Sequence, residues 1–508
     1  MEHYVQFTAF ALFFCCSAAR NNVLLIIFDD LRPALGCYGD RNAVTPNIDR
    51  IAQDGIIFQR AYAQQALCAP SRNSFLTSRR PDTIRLYDFY SYWRTFSGNF
   101  TTIPQYFKEN GYHTKSVGKV FHPGISSNFS DDQPYSWSEE PFHPSTEMYK
   151  NAEVCYSDDD PFVARKNVVC PVRPESQPGG TLPDIESTQE AIEFLKTTSA
   201  SKSPFFLAVG FHKPHLPLKY PHHFDGYHDL DDVVLPQHRT RPASMPDVAW
   251  NPWTDMRERH DIAKLGLDFP YGRVPDNKAK HILRSYYASV TYVDSLLGQI
   301  INELKASGKY EDTVIALLGD HGWSLGEHGE WSKFSNYDVA TRVPLIFRAP
   351  STITNMAGSE VRTDPVELLD LFPTLVNLAG LPDIPRCGLR SKETQLCTEG
   401  RTIFDRSEAN EAFSQYPRPS VAPQENSDKP KLADIRIMGY SIVTDRFRYT
   451  EWIGFRNFTP QWSELVAREL YDHEKDQDEA ENVVDSEEYS NDVKFLSQRL
   501  RIVNTRNL

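Results

Sequence analysis

Two sets of residues in this chain could do chemistry together: a cysteine in an unusual turn, and carboxylates placed at strand ends. The cysteine opens Cys68-Ala-Pro-Ser-Arg72. Fixing Cys, Pro, Ser and Arg at four places is a match that a random chain offers about once in 160,000 windows. Helix-forming residues from Ser71 onward put position 68 beside helix amide groups, where a developing negative charge is favoured. A plain thiol nucleophile would want a histidine nearby, and none is adjacent in sequence. The bland alternative is a buried thiol ahead of a helix. The carboxylates are Asp29, Asp30 and Asp320, the last followed by His321. Hard oxygens without a Cys or His cluster suit Ca2+ or Mg2+ better than Zn2+. Arg72, Lys119, His122, His215 and Lys333 are scattered along the chain. Singly each reads as an ordinary solvated or core residue; as a set they could hold an oxyanion and its growing charge.

The elements that must gather these residues can be read from the hydrophobic pattern. Residues 22–28 contain VLLIIF, a continuous apolar run suited to a strand buried on both faces. It ends at Asp29-Asp30. Thr45-Pro46 opens a helix that Gly55 closes. A helix over 103–110, a strand over 114–117, a helix over 184–198 and a strand over 204–209 follow. A long helix spans 278–306, and the strand 313–318 leads into Gly319-Asp320-His321. A strand over 343–347 and a helix over 365–379 come next. Strands alternating with helices indicate an α/β fold with a large, mostly parallel central sheet flanked by helices. Ligands in such sheets collect at the carboxyl ends of strands, so Asp29-Asp30 and Asp320-His321 would meet at one edge. Beyond about residue 400 the texture changes. The segments 435–444 and 447–453 read as antiparallel neighbours, and a last helix covers 488–500. Residues 414–431 read as loop, and 216–276 as a long Pro-rich insertion around a site. The expected division is 1–19, 20–400 and 401–508, the last a smaller α+β subdomain.

Of 508 residues, 40% are hydrophobic and 24% charged. This excludes disorder as the main state, a collagen, a coiled coil and a disulfide miniprotein. The net charge of −14 argues against a general nucleic-acid binder, while a basic pocket in an acidic body stays open. Residues 5–16 are an apolar stretch followed by Ser17, Ala18 and Ala19, which reads as a secretory signal removed near residue 19. No later stretch is long and apolar enough to cross a membrane. Six of eight cysteines remain after removal of Cys15 and Cys16. Cys155 with Cys170, and Cys387 with Cys397, are close enough to close short loops in an oxidising compartment, although six cysteines allow other connectivities. Asn99, Asn128 and Asn457 each open an N-x-S/T glycan acceptor sequence.

The motif C-x-P-S-R resembles that of the type I sulfatases. Leu76-Thr-Ser-Arg-Arg80 resembles the extension of that signature, with Ser78 where the family usually has Gly. Val117-Gly-Lys119 matches its second signature, and Glu469-Leu-Tyr-Asp472 its C-terminal segment. The resemblance covers essentially the whole mature chain. It implies an alkaline-phosphatase-like sulfatase fold and hydrolysis of a sulfate ester. It implies that Cys68 is converted to formylglycine by a separate formylglycine-generating enzyme, the hydrated aldehyde being the nucleophile. Asp29, Asp30, Asp320, His321 and the side chain at position 68 would hold one Ca2+. His321 stands where most of the family has Asn, which leaves open whether it binds the ion. Arg72 and Lys119 would hold the hydrate, His122 would take its proton, and His215 and Lys333 would bind sulfate and assist the leaving oxygen.

Three longer segments, 85–94, 118–127 and 320–333, resemble the branch that removes the 2-O-sulfate of terminal iduronate from heparan and dermatan sulfate in lysosomes. That resemblance implies a sulfated glycosaminoglycan oligosaccharide as substrate, and lysosomal or extracellular delivery. Arg85 would pair with the uronate carboxylate, Trp323 would wall the sugar, and Phe334 would stand where relatives carry Tyr. A sulfatase of another sulfated glycan is a second reading. A two-zinc phosphatase of the same superfamily is a third, and Cys68 argues against it. A secreted glycan binder with a dead site is a fourth, and it predicts erosion of residues that are all present.

Overall fold

The computed structural model describes residues 20–157, 160–198, 200–201, 203–350, 360–405 and 410–505. The expected signal segment 1–19 lies outside them. The apolar run after Asn22 forms β1 (Asn22–Asp29), buried along its whole length. Its side chains alternate between two cores. Leu24, Ile26 and Phe28 enter one apolar cluster, and Val23, Leu25 and Ile27 enter another. A strand read by both faces has to lie inside a sheet covered on both sides, which is why its sequence does not alternate.

That sheet has eight strands. The others are β2 (Ile56–Tyr62), β3 (His113–Gly118), β4 (Phe205–Pro214), β5 (Thr313–Gly319), β6 (Arg342–Arg348), β7 (Glu360–Arg362) and β8 (Val366–Glu367). The order is β7-β2-β6-β5-β1-β4-β3, with β8 also on β2. Only β6 runs antiparallel to its neighbours. Helices α1 (Pro46–Gln53), α2 (Cys68–Thr77), α3 (Ile103–Glu109), α4 (Pro183–Thr198), α5 (Asp276–Ala306) and α6 (Leu371–Leu378) cover it. Helices α1, α4 and α5 supply the first cluster and α2, α3 and α6 the second.

A separate antiparallel sheet joins β9 (Ala412–Arg418), β10 (Ile437–Val443), β11 (Phe447–Arg456) and β12 (Thr459–Asp472) in that order. One face packs under α7 (Ser490–Thr505), where Leu496 and Leu500 meet Ile442 and Tyr449. The other face carries Tyr416, Trp452 and Tyr471 against Phe334 and Tyr337. Disulfides join Cys155 to Cys170 and Cys387 to Cys397.

Two expectations change. Residues 414–418, read as loop, belong to β9, because Pro417 is tolerated on an edge strand where its missing N–H costs no ladder bond. The helix expected over 365–379 is shorter. Val366–Glu367 pairs with β2, a 3-10 turn spans Leu368–Asp370 with a reciprocal Glu367–Asp370 cap, and α6 starts at Leu371.

Several buried carboxyls away from the strand ends set a pH dependence of stability. Burial pushes Glu330 up to about 8, Asp294 up to about 6 and Asp428 up to about 6. The folded chain therefore holds protons that the unfolded chain has released. Stability from these groups is fully present below the ordinary carboxyl range and is lost as pH rises through about 6 to 8. Relative to wild type, Glu330→Gln should raise the melting midpoint at pH 8 against that at pH 5.5 by a few degrees. An unchanged difference between the two midpoints would mean that this carboxyl is solvated.

Candidate active site

Strand β1 is flanked by two parallel partners, so three carboxyl ends fall on one edge. Phe28 stands opposite Phe211 of β4 and Gly319 of β5. The residues that follow are Asp29 and Asp30, His215, and Asp320 with His321. β3 adds Lys119 beyond Gly118, which pairs with Gly210. That approach needs both glycines. Gly118 has φ +72, and a Cβ on Gly210 would sit 1.9 Å from the Lys119 carbonyl oxygen. Cys68 comes from another layer, as the first residue of α2, and is 1% exposed.

The side chains form one closed network. Lys333 Nζ lies 2.6 Å from Asp30 Oδ1 and 3.2 Å from Cys68 Sγ. His321 Nε2 lies 3.4 Å from the same sulfur and 3.5 Å from Asp30 Oδ1 and Asp320 Oδ2. Its Nδ1 faces the Gly322 carbonyl at 3.1 Å, which fixes the proton on Nδ1 and leaves the Nε2 lone pair facing inward. Arg72 donates through Nε to Asp320 Oδ2 at 2.9 Å and through Nη2 to Asp29 Oδ1 at 3.2 Å. Lys119 Nζ donates to Asp29 Oδ2. Asp320 Oδ1 accepts from the backbone N–H of Asp30 and of His321. His215 Nε2 stands 3.9 Å from Asp30 Oδ2, its Nδ1 held by the Leu216 carbonyl at 2.7 Å.

The donor set fits a divalent cation. One atom each from Asp29, Asp30, Cys68 and His321 all lie within 4.8 Å of one another. Asp30 Oδ2 is buried without a hydrogen-bond partner. Burial and the neighbouring Asp29 charge, against Lys333, push the Asp30 carboxyl up to about 8. Burial works against Asp29 too, but Lys119 and Arg72 hold it well below the usual carboxylate range. Two adjacent carboxylates thus share one deficit of positive charge, and a bound cation would replace the Asp30 proton. Asp320 stands beside this group with its oxygens already committed to Arg72 and two amides.

The histidines are tuned toward the neutral form. Burial and then Lys333 push His215 well below its ordinary value. Burial and then Lys119 do the same to His122. His122 Nδ1 is buried without a hydrogen-bond partner, and its ring lies 4.5 Å from that of Phe89.

Of the three residues expected at the sugar, Arg85 stands apart from this network, while Trp323 and Phe334 border it at Lys333. Arg85 lies over the Phe458 ring at 5.1 Å, facing the second sheet. Trp323, buried in the main core, and Phe334, buried against the second sheet, face the Lys333 ammonium with ring centroids 5.6 Å and 5.9 Å from Nζ. Two contributors were not read from the sequence. Tyr286, inside α5, donates to the Asp30 carbonyl at 2.8 Å, and only its place on the buried helix face hinted at it. Lys213 donates to the carbonyls of His215 and Pro217, wrapping the loop that carries His215.

Comparison with known proteins bears on the family and the fold. A family model described as Sulfatase matches residues 21–381. The chain is 50% identical to iduronate 2-sulfatase of Homo sapiens over 488 residues, covering 89% of this chain and 88% of that protein. It is 49% identical to iduronate 2-sulfatase of Mus musculus over 506 residues, covering 92% and 91%. Among solved structures, the phosphonate monoester hydrolase of Agrobacterium radiobacter superposes with a TM-score of 0.70 at 20% identity over 96% of each chain. BT4656 in complex with its substrate D-glucosamine-2-N,6-O-disulfate gives 0.65 at 22% identity, covering 96% and 98%. At those identities the structural likeness speaks for the fold alone, and it is the fold that the sequence led us to expect.

Proposed function

The chain belongs to the sulfatase family, and from that membership we propose that it removes the 2-O-sulfate of terminal iduronate in heparan and dermatan sulfate. It is a sulfuric ester hydrolase. The observation that carries the reading is the position of Cys68, inside the cluster of carboxylates and cations rather than in an apolar core. The half-identity with iduronate 2-sulfatases supports the choice of sugar.

Formylglycine made from Cys68 would supply a hydroxyl nucleophile, and Ca2+ among Asp29, Asp30, Asp320 and His321 would supply positive charge beside it. The chain's own residues do the rest. Lys333 stands within reach of position 68 and can hold a sulfate oxygen there. Arg72 and Lys119 pin Asp29 and bring their charge to the same point. His215 is neutral in the free site. The negative charge of an arriving sulfate opposes Lys333 and lifts its pKa, which equips Nε2 to protonate a poor sugar leaving group. His122, held neutral with an unpartnered Nδ1, is the base that takes a proton when sulfate is expelled.

In this reading residues 20–400 form the catalytic part and 401–508 the smaller one. The chain matures through the secretory pathway, with the lysosome as its destination and the extracellular space as the alternative. Asn99, Asn128 and Asn457 are all exposed, as glycan acceptors need to be. Among the described residues no helix is long and apolar enough to cross a membrane.

The test joins mass and activity. The tryptic peptide carrying residue 68 should be about 18 Da lighter than its cysteine form. The same preparation should release sulfate from a disaccharide with a terminal 2-O-sulfated iduronate, about 10²-fold faster than from a 6-O-sulfated glucosamine. An intact thiol and no release, in material from cells able to make the conversion, would favour a sulfated-glycan binder. Release from the wrong sugar only would keep the chemistry and move the substrate.

A further inference from the structure

Lys333 sits in a turn that its own sequence does not favour. Ser332 has φ 69 and Phe334 φ 72, the left-handed region that non-glycine residues rarely enter. Such a pair of conformations on both sides of one lysine persists only when surrounding groups hold it. The holding groups come from two distant parts of the chain. Asn251 is fully buried in the Pro-rich insertion. Its Nδ2 donates to the Trp331 carbonyl at 2.8 Å and to the Lys333 carbonyl. Its Oδ1 accepts from the Trp253 N–H at 2.7 Å, and its own N–H donates to Glu330 Oε1 at 2.6 Å. Every polar group of this side chain is therefore committed to the turn or to the segment that presents it.

Arg418, at the end of β9, holds the next carbonyl. Its Nη2 donates to Phe334 O at 2.7 Å and to Ala249 O at 3.2 Å. Nε donates to Val248 O at 3.0 Å, and Nη1 to Ser427 O at 3.2 Å and Pro417 O at 3.3 Å. The guanidinium is 1% exposed, and these hydrogen bonds all run to carbonyls. A stability-driven core would place a carboxylate or an apolar side chain here. A planar fork of five donors matched to carbonyls on three segments instead fixes geometry, which a lysine ammonium cannot reproduce.

We propose that Asn251 and Arg418 are positioning residues that hold the Ser332–Phe334 turn and so set where the Lys333 ammonium meets Asp30 and residue 68. The proposal rests on the reading of Lys333 as a sulfate-holding group. It gives the insertion and the second sheet a part in catalysis without contact with substrate.

The test is a double-mutant cycle in the full chain. Asn251→Ala and Arg418→Lys should each lower kcat/KM by about 10- to 100-fold and weaken binding of inorganic sulfate, with the melting midpoint showing folded protein. In a Lys333→Met background the same substitutions should cost less than about 2-fold, because the group they position is gone. Equal losses in both backgrounds, or a lowered midpoint with unchanged kcat/KM, would overturn the proposal. So would failure of both variants to fold, which would make the two residues part of the folding core. Sulfate affinity, read by calorimetry, keeps this test apart from the choice of sugar. If wild type binds sulfate but does not turn over the uronate ester, the substrate reading fails and the cycle still stands. If Lys333→Met binds sulfate as wild type does, the reading of Lys333 fails instead.

Discussion

Cys68→Ser should yield a folded protein that turns over once at most. Serine can be sulfated at its hydroxyl if the site positions and activates it, because Lys333 and His321 would face that oxygen as they face the sulfur. It lacks the second hydroxyl of an aldehyde hydrate, so it cannot expel sulfate by collapsing to a carbonyl. Water would have to hydrolyse the ester in a site where residue 68 is 1% exposed. Steady-state release should therefore fall by about 10⁴-fold or more, the loss expected when a covalent nucleophile is removed. The diagnostic is a gain of about 80 Da on the peptide carrying residue 68 after incubation with substrate. Cys68→Ala should show neither turnover nor the added mass. If Cys68→Ser kept turning over at a tenth of the normal rate, the second hydroxyl would not be needed and the nucleophile would lie elsewhere. Neither substitution should lower the melting midpoint much, since burial pushes the Cys68 thiol up and keeps it a small neutral group.

What the sequence disclosed depended on how locally each feature is encoded. β1 and β5 were legible because a strand buried on both faces has to be a continuous apolar run, and the carboxylates at their ends are the residues that break it. The convergence of Asp29, Asp30 and Asp320 followed from the rule for strand ends, and Cys68 from a motif too specific for chance. The cations needed a family resemblance, since nothing local distinguishes Lys119 or Lys333 from a surface lysine. Trp323 and Phe334 show the limit from the other side. An aromatic next to a catalytic segment is as readily packing as platform, and both rings are buried in cores while bordering the Lys333 ammonium. Nothing local marked Asn251 or Arg418 for this role, because what makes them special is the set of carbonyls they meet. Those carbonyls belong to residues up to 170 positions away.

Charge balance makes Asp29 the carboxylate whose loss should cost most. Asp29, Asp30 and Asp320 face Arg72, Lys119 and Lys333, three charges of each sign once Asp30 is ionised. A divalent ion then leaves the site with two positive charges, which suits a bound sulfate. Asp29 is the shared partner of Arg72 and Lys119, so Asp29→Asn removes one charge from two buried cations at once. Breaking a buried pair in this way costs about 3–5 kcal/mol, because the remaining charges stay out of water. It also raises the repulsion that an arriving cation meets. Turnover should drop by about 10³-fold or more, as when a preorganised charge is removed from a reacting centre. Added Ca2+ should raise the melting midpoint of wild type and leave that of Asp29→Asn unmoved. Should the variant still be stabilised by Ca2+ to the same degree, Asp30 and His321 would be sufficient to hold the ion. The role of Asp29 would then shrink to anchoring Arg72 and Lys119, and the loss of turnover would report the misplacement of those two cations.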